Sequence, residues 1–373
     1  MCSVSDRSSP PPAVAFVLSR SLRGGTESQA ALLVRSVTAR QVPVDVFILR
    51  GSRGAADFGS ARVYELDPIS EPGSGALDAL RWVRSGVRLG RRLRRNRYSA
   101  VHAVLARAHV IAPLVAPRRR MRVVAWRRNL GDHSRAGSVN ARLEAMAARR
   151  CDVVIANSAA VAAYWQRRGC APREGIQVVP NALDAWRFEP AAPARYDDAP
   201  LLAVSVGNLR AAKGHADLVR ALAQVRAEGL DVGLVVLGGQ LPREPKVGKE
   251  LTELAARLTV PLHLPGAVPD TRPWLAACDV YVHPSWSEGA SNALSEAMAQ
   301  GCRIVATEVG DARECLGDSG ILVPPREPDQ LASAITKVLS TGAGRDATAR
   351  KRAARLLSVE HLVDAHLRAY QGA

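Results

Sequence analysis

Short apolar runs alternate along this chain with Gly-rich or polar turns and with segments whose apolar positions repeat at helical spacing. Residues 13–18 form the first apolar run and read as a strand. Residues 19–27, with Gly24 and Gly25, follow as a loop. A helix is expected over 28–40 and a second strand over 44–49. Strand, Gly-rich turn, helix and strand in that order open a doubly wound sheet. Residues 81–98 predict a basic helix with Trp82, Val83, Val87 and Leu89 apolar, weakened by Gly86 and Gly90. Further strands are expected at 100–105, 122–125 and 152–156, with helices over 138–150 and from 159 to 169.

The pattern breaks at 187–200, which is rich in Pro and Ala and has no clear period, so it reads as a linker. From Leu201 the alternation restarts. Strands are expected at 201–206, 232–237, 262–264, 280–282 and 303–307. Helices are expected at 215–227, 250–258, 271–277, 292–300 and 328–339. Residues 322–325 read as a turn, and 346–370 as one final amphipathic helix. The reading is an α/β chain with two tandem Rossmann-like, doubly wound domains and a cleft between their C-terminal strand edges. The expected organisation is a first domain at 1–186, a linker at 187–199, a second domain at 200–343 and a terminal helical segment at 344–373.

Length and composition agree with two cores: 373 residues, 47% of them hydrophobic. No uninterrupted apolar run reaches membrane-spanning length. Six Cys stand without a Cys-x-x-Cys spacing, which argues against a disulfide frame or a zinc site and for a reducing compartment. Charge separates the halves. Residues 1–184 hold 30 Arg, no Lys and 13 acidic residues, a balance of +17, so the whole +16 of the chain lies there. Eight of those Arg fall in 81–97. Such a helix is a solvated face or a dock for anionic headgroups. Few stacking aromatics accompany it and no nucleic-acid-binding motif is present, which argues against nucleic acid.

Candidate chemistry concentrates in 281–307, YVHPSWSEGASNALSEAMAQGCRIVAT. Glu288 sits in a loop, Gly289, Ala290, Ser291 and Asn292 lead into a helix, and Glu296 lies on that helix. Eight residues of helix rise about 12 Å over a little more than two turns, so the two carboxylates should face similar directions. The helix N-terminus offers amides to an anion. Spacing alone more often marks one capping and one solvated Glu. Position strengthens it. Gly207 to Gly214 forms the loop after the first strand of the second domain and carries Arg210 and Lys213, a pair suited to phosphate. In the first half, Trp126, Arg127, Arg128 and His133 cluster at a strand's C-terminal end, where open α/β sheets bind ligands.

The segments VGNLRAAKGHADLVRAL (206–222), LPGAVPDTRPWLAACDVYVHPSWSEGASNALSEAMAQGCRIVATEVG (264–310) and GILVPPREPDQLASAI (320–335) resemble the retaining glycosyltransferases of family 4, with the GT-B fold. The resemblance extends over nearly the whole length. It implies that Arg210 and Lys213 pair with a donor diphosphate, Glu288 holds hydroxyls of the transferred sugar and Glu296 accepts from the ribose. It also implies that Gly207 and the segment from Gly289 through Ala290 and Ser291 to Asn292 line the donor, that Gly266 and Val268 lie near the base, and that Gly24 and Gly25 approach the phosphate. It implies anomeric retention and no metal or other cofactor. Departures are Asn208 where many relatives have Arg, Ala182 where Asn-Gly is usual, and Ala290 where a bulky residue often stands. Arg127, Arg128 and His133 are candidates for the acceptor side.

The resemblance, taken with the charge and cysteine pattern, implies a cytoplasmic, metal-independent hexosyltransferase. It would move a sugar from a nucleotide-diphosphate sugar to a hydroxyl of a lipid-linked or polysaccharide acceptor. It would sit peripherally on the inner membrane face through 81–97, with the terminal helix crossing back to brace the first domain. The alternatives are a basic nucleic-acid-binding protein, or a GT-B relative of other chemistry such as a sugar-nucleotide epimerase or a phosphorylase.

Overall fold

The computed structural model describes residues 13–20, 25–51, 56–68, 76–128, 130, 139–342 and 344–372. The chain forms two compact units, Met1–Pro180 with Val359–Ala373, and Asn181–Ser358.

The first unit contains β1 (Ala13–Leu18), α1 (Gly25–Ala39), β2 (Val44–Ile48), β3 (Arg62–Glu65), α2 (Ala76–Arg95), β4 (Tyr98–Val104), α3 (Ala106–Val115), β5 (Arg122–Arg127), α4 (Val139–Ala148), β6 (Val153–Ala156), α5 (Ala159–Arg167) and β7 (Ile176–Val178). Its seven strands are parallel, in the order β3-β2-β1-β4-β5-β6-β7. Central strands covered on both faces become continuous apolar runs, and β1, β2, β5 and β6 are almost wholly buried. β3 is different. It lies at the sheet edge with its two end residues exposed, so it shows no apolar run and no periodicity announces it. Its pairing is secured in part by charge: Arg62, opposite Asp45 in register, donates from Nε to that carboxylate at 2.9 Å.

α2 forms where the sequence predicts it, and its two glycines have a purpose. A Cβ on Gly86 would stand 3.2 Å from Ile111 Cγ2, and one on Gly90 3.3 Å from Val115 Cβ. The helix-weakening residues let α2 approach α3 closely, and Trp82, Leu89 and Leu93 are buried beneath them.

The second unit contains a 3-10 turn (Ala185–Phe188), β8 (Leu201–Val206), a second 3-10 turn (Ala211–Lys213), α6 (His215–Ala227), β9 (Val232–Leu237), α7 (Val247–Arg257), β10 (Leu262–Gly266), α8 (Arg272–Ala277), β11 (Val280–His283), α9 (Asn292–Ala299), β12 (Ile304–Thr307), α10 (Ala312–Leu316), β13 (Ile321–Val323), α11 (Pro328–Ser340) and α12 (Ala347–Leu356). The sheet order is β10-β9-β8-β11-β12-β13, again parallel. Residues 321–323, at the segment read as a turn, are an edge strand paired to β12 before Pro324 ends it. The segment read as a linker is ordered against this unit: Ala194 N donates to Pro273 O at 2.9 Å, and Phe188 and Tyr196 pack on its core.

The single terminal helix expected over 346–370 is two helices, α12 and α13 (Val359–Gln371). Asp346 caps α12 through the amides of Thr348 and Ala349. Leu357 then leaves helical geometry, and its carbonyl accepts from Leu183 N at 3.0 Å. α13 packs in the first unit. Tyr370 Oη lies 2.6 Å from His102 Nδ1, and Arg122 Nε donates to Ala369 O at 2.9 Å. No helix of the described residues is long and apolar enough to cross a membrane. Cys151, Cys170, Cys278, Cys302 and Cys315 are buried and free.

Candidate functional site

At the C-terminal edge of the second sheet, two loops are fastened together. The first follows β8 and runs from Gly207 to Gly214; the second follows β11 and runs from Pro284 to Ser291. Gly214 is left-handed, φ 68°, and a Cβ there would lie 2.0 Å from Pro284 O. Only glycine satisfies both constraints. Trp286 completes the join, its N–H donating to Ala212 O at 2.9 Å and its indole Nε1 to Asp217 Oδ2 at 2.7 Å.

That join brings Lys213 onto Glu288. The ammonium donates to Glu288 Oε1, which also accepts from Ser285 Oγ at 2.9 Å and lies 3.5 Å from His283 Nε2. Burial opposes charge on this carboxyl, but the His283 ring and the Lys213 ammonium outweigh it and hold it well below the usual carboxylate range. Glu288 therefore stays an anion, a hydrogen-bond acceptor rather than an acid. Arg210 is brought elsewhere. Its Nε donates to Glu244 Oε1 at 3.1 Å, and the same carboxylate accepts from Ala211 N at 2.8 Å.

Glu296 does lie on the expected helix, but Glu288 precedes it, so helical phase does not relate the two. Glu296 Oε2 accepts from Thr271 Oγ1 at 2.7 Å and lies 3.3 Å from Arg187. Burial raises this carboxyl, against the Arg187 charge and the Thr271 hydroxyl. The amides expected to face an anion are partly committed. Ser291 N donates to Asp311 Oδ1 at 3.2 Å, while Ser291 Oγ caps Leu294 N. Asn292 Oδ1 accepts from Asn181 Nδ2 at 2.6 Å. Gly207 and Gly238 meet where β8 and β9 end: a Cβ on Gly238 would fall 2.0 Å from Gly207 O. Gly266 closes β10 at φ 82°, donates no side chain and accepts from Gly238 N at 2.9 Å; Val268 packs at the edge of the core.

Sequence reasoning missed Arg187, Thr271, Glu244 and Asp311. Arg187 was concealed in an aperiodic Pro/Ala segment, Thr271 stands at the start of a helix that was expected for its apolar positions, and Glu244 and Asp311 lie between elements. Burial lifts the Asp311 carboxyl to about 6, against hydrogen bonds from Cys315 and the Ser291 amide. Gly310 beside it packs on the backbone of Glu288 and Gly289.

In the first unit, Arg127 ends β5, Arg128 follows it, and both are buried. The Arg127 guanidinium lies 3.8 Å from the Trp165 ring centroid and Arg128 4.4 Å from that of Trp126. Desolvation lowers both, Arg128 to about 9. Gly25 begins α1; Gly24 and His133 lie outside the described residues.

Two Rossmann-like parallel sheets in tandem, each with its loops at the strand ends, define the GT-B class of fold. Solved structures share it across the chain. Sucrose-phosphate synthase from Thermosynechococcus elongatus matches with a TM-score of 0.81 at 20% identity, covering 97% of this chain and 98% of that one. HepE of Anabaena in complex with UDP-glucose matches with a TM-score of 0.78 at 21% identity, covering 97% and 100%. The family model described as Glycosyl transferases group 1 matches residues 200–341, and that described as Glycosyltransferase Family 4 matches 23–187. The chain belongs to the group 1 glycosyltransferases.

Among curated relatives, the lipopolysaccharide core biosynthesis glycosyltransferase LpsE of Rhizobium meliloti is 29% identical over 63% of this chain and 68% of its own length. The D-inositol 3-phosphate glycosyltransferase of Xylanimonas cellulosilytica is 31% identical over 51% of this chain, which spans 49% of that relative.

Proposed function

We propose that this protein transfers a hexose from a nucleotide-diphosphate sugar to a hydroxyl of a lipid-linked or polysaccharide acceptor, with retention at the anomeric carbon and without a metal. The observation that carries the reading is the Lys213–Glu288 contact, a cation suited to phosphate beside a carboxylate held well below the usual range and suited to sugar hydroxyls. A diphosphate arriving at this loop would draw Lys213 from Glu288 and Arg210 from Glu244. Glu288 would then accept from the sugar and Glu296 from the ribose. The two cations stabilise the leaving diphosphate as its charge develops, the role a metal plays elsewhere. Retention is assigned to attack from the face the diphosphate leaves, with its oxygen taking the acceptor's proton; no side chain is needed as base. HepE, whose structure holds UDP-glucose, supports a nucleotide-sugar donor. The LpsE name supports a lipid-linked saccharide acceptor. The basic first half would hold the enzyme at an anionic membrane face.

A panel of nucleotide sugars screened by thermal shift tests the donor: one of them should raise the melting temperature, and Lys213→Ala should remove most of that rise. Turnover with the selected donor, unchanged by EDTA, is expected in the presence of a saccharide acceptor. A panel that stabilises nothing sinks the reading.

A further inference from the structure

Nine large hydrophobic side chains are exposed among the described residues, and seven belong to three consecutive helices of the first unit: Leu77, Leu80, Val83 and Val87 on α2, Leu114 on α3, Leu143 and Met146 on α4. α3 packs against both of its neighbours, so the three helices form one continuous surface. The α2 residues are the most open, at 72%, 64%, 61% and 47%. They follow one another at three- and four-residue steps along the outer side of α2, opposite the buried Trp82 and Leu89. An apolar row this exposed on a soluble helix marks an interaction face.

The same outer side changes character after Val87. Arg91 and Arg95 continue the row, and with Arg88, Arg92, Glu65 and Leu66 they line a cleft of about 320 Å³. Arg88 Nη1 donates to Leu66 O, and the Arg92 guanidinium lies 4.9 Å from the Tyr64 ring centroid, so two of the four are held in place. Glu65 is the one acid in the lining, leaving three net positive charges. Arg81 and Arg84 flank the apolar row itself.

We infer that the α2–α3–α4 face seats on an anionic phospholipid bilayer, with Leu77, Leu80, Val83 and Val87 entering the interface and the Arg88–Arg95 cleft taking a headgroup phosphate. The inference rests on the membrane-facing reading above and replaces a purely electrostatic dock with one that inserts. Leucine and valine enter the acyl boundary, while arginines spread at headgroup level pair with phosphate. Nucleic acid offers no partner for the apolar row.

The test is flotation of the full chain with vesicles of phosphatidylcholine alone, or of phosphatidylcholine with phosphatidylglycerol, across a salt series. Wild type should bind the anionic vesicles at least about tenfold more tightly than the neutral ones. Leu80→Asp with Val83→Asp should lower that affinity about tenfold or more at every salt concentration. Arg88→Ala with Arg91→Ala and Arg95→Ala should lower it at low salt and flatten the salt dependence. All these sites lie outside the donor loops, so the thermal shift with nucleotide sugar should be unchanged in every variant. That readout separates failure of this inference from failure of the transferase reading. Absence of vesicle binding, or binding that ignores the aspartate pair, overturns the inserting dock. So does affinity for duplex DNA equal to that for anionic vesicles, or displacement from vesicles by millimolar inorganic phosphate alone.

Discussion

Arg187 lies 3.3 Å from Glu296, joining an aperiodic segment to helix α9, 109 positions later. Burial already raises the Glu296 carboxyl. Arg187→Met removes the one cation in contact with it among the described residues, so the carboxyl should rise further and favour its protonated form more. A protonated carboxyl is a weaker acceptor for ribose hydroxyls. Nucleotide-sugar affinity should fall roughly five- to tenfold, about 1–1.4 kcal/mol. In a Glu296→Gln background the same substitution should cost nothing more. Calorimetric titration of the four proteins gives the cycle. Full additivity would sink the proposed role of the pair.

Glu288→Gln separates binding from turnover. Lys213 loses its counter-ion and is left to the diphosphate, so donor affinity should hold or tighten. The sugar loses an ionised acceptor, so kcat should drop by about two orders of magnitude. The wild-type carboxyl sits well below the usual range, so no acid limb near neutral pH should belong to it. Near-wild-type kcat in the variant would falsify the assignment of Glu288 to the sugar.

Asp311 gives stability a pH dependence of definite sign. Its folded carboxyl is raised to about 6 from an ordinary 3.8. Below the ordinary value both states are protonated and there is no difference. Between the two, the folded state holds a proton that the unfolded chain has released, so stability falls as pH rises. Above about 6 the loss is complete, of order 3 kcal/mol. Asp311→Asn should flatten this part of the profile while keeping an oxygen for the Ser291 amide. Urea midpoints from pH 4 to 7 for both proteins check it; parallel profiles would refute it.

Gly214 and Gly229 both have positive φ, 68° and 96°, but only Gly214 is hemmed in. Gly229→Ala meets no atom within 4 Å and should cost about 1 kcal/mol from backbone strain alone. Gly214→Ala also drives a methyl into Pro284 O. It should cost roughly 3 kcal/mol or more and loosen the join that sets Lys213 on Glu288, so donor binding should fall with it. Chemical denaturation and donor titration of the two variants make the comparison. Equal costs would mean that the loops are not fastened at Gly214.

Both sheets were legible because parallel strands covered on two faces become unbroken apolar runs, and β1, β2, β8 and β9 need no other signal. β3 was not legible, because an edge strand with exposed ends has neither a run nor an alternation. The split between α12 and α13 was hidden because apolar positions continue at helical spacing through Leu357, where a carbonyl bonded to Leu183 ends the helix. At the site, Lys213 and Glu288 were legible from loops at strand ends. The counter-ions of Glu296 and Arg210 were not, since Arg187 and Glu244 lie in segments whose sequence has no period.

Tyr370 and His102, 268 residues apart in sequence, meet inside the first unit with Oη 2.6 Å from Nδ1. His102 is fully buried, and desolvation holds its pKa far below the ordinary histidine value, so the ring is neutral at physiological pH. The other ring nitrogen, Nε2, has no hydrogen-bond partner among the described residues, and His366 stacks on the ring with centroids 5.2 Å apart. Tyr370→Phe keeps the aromatic packing but removes the one hydrogen bond of a buried polar ring. It should cost about 1–3 kcal/mol, with the cost assigned to the stranded imidazole rather than to lost area. His102→Phe in the same chain should recover part of that cost, because it removes the group left unsatisfied. Thermal unfolding of wild type, each single variant and the double variant measures the recovery. A double variant no more stable than Tyr370→Phe alone would mean that α13 is held by packing and not by this contact.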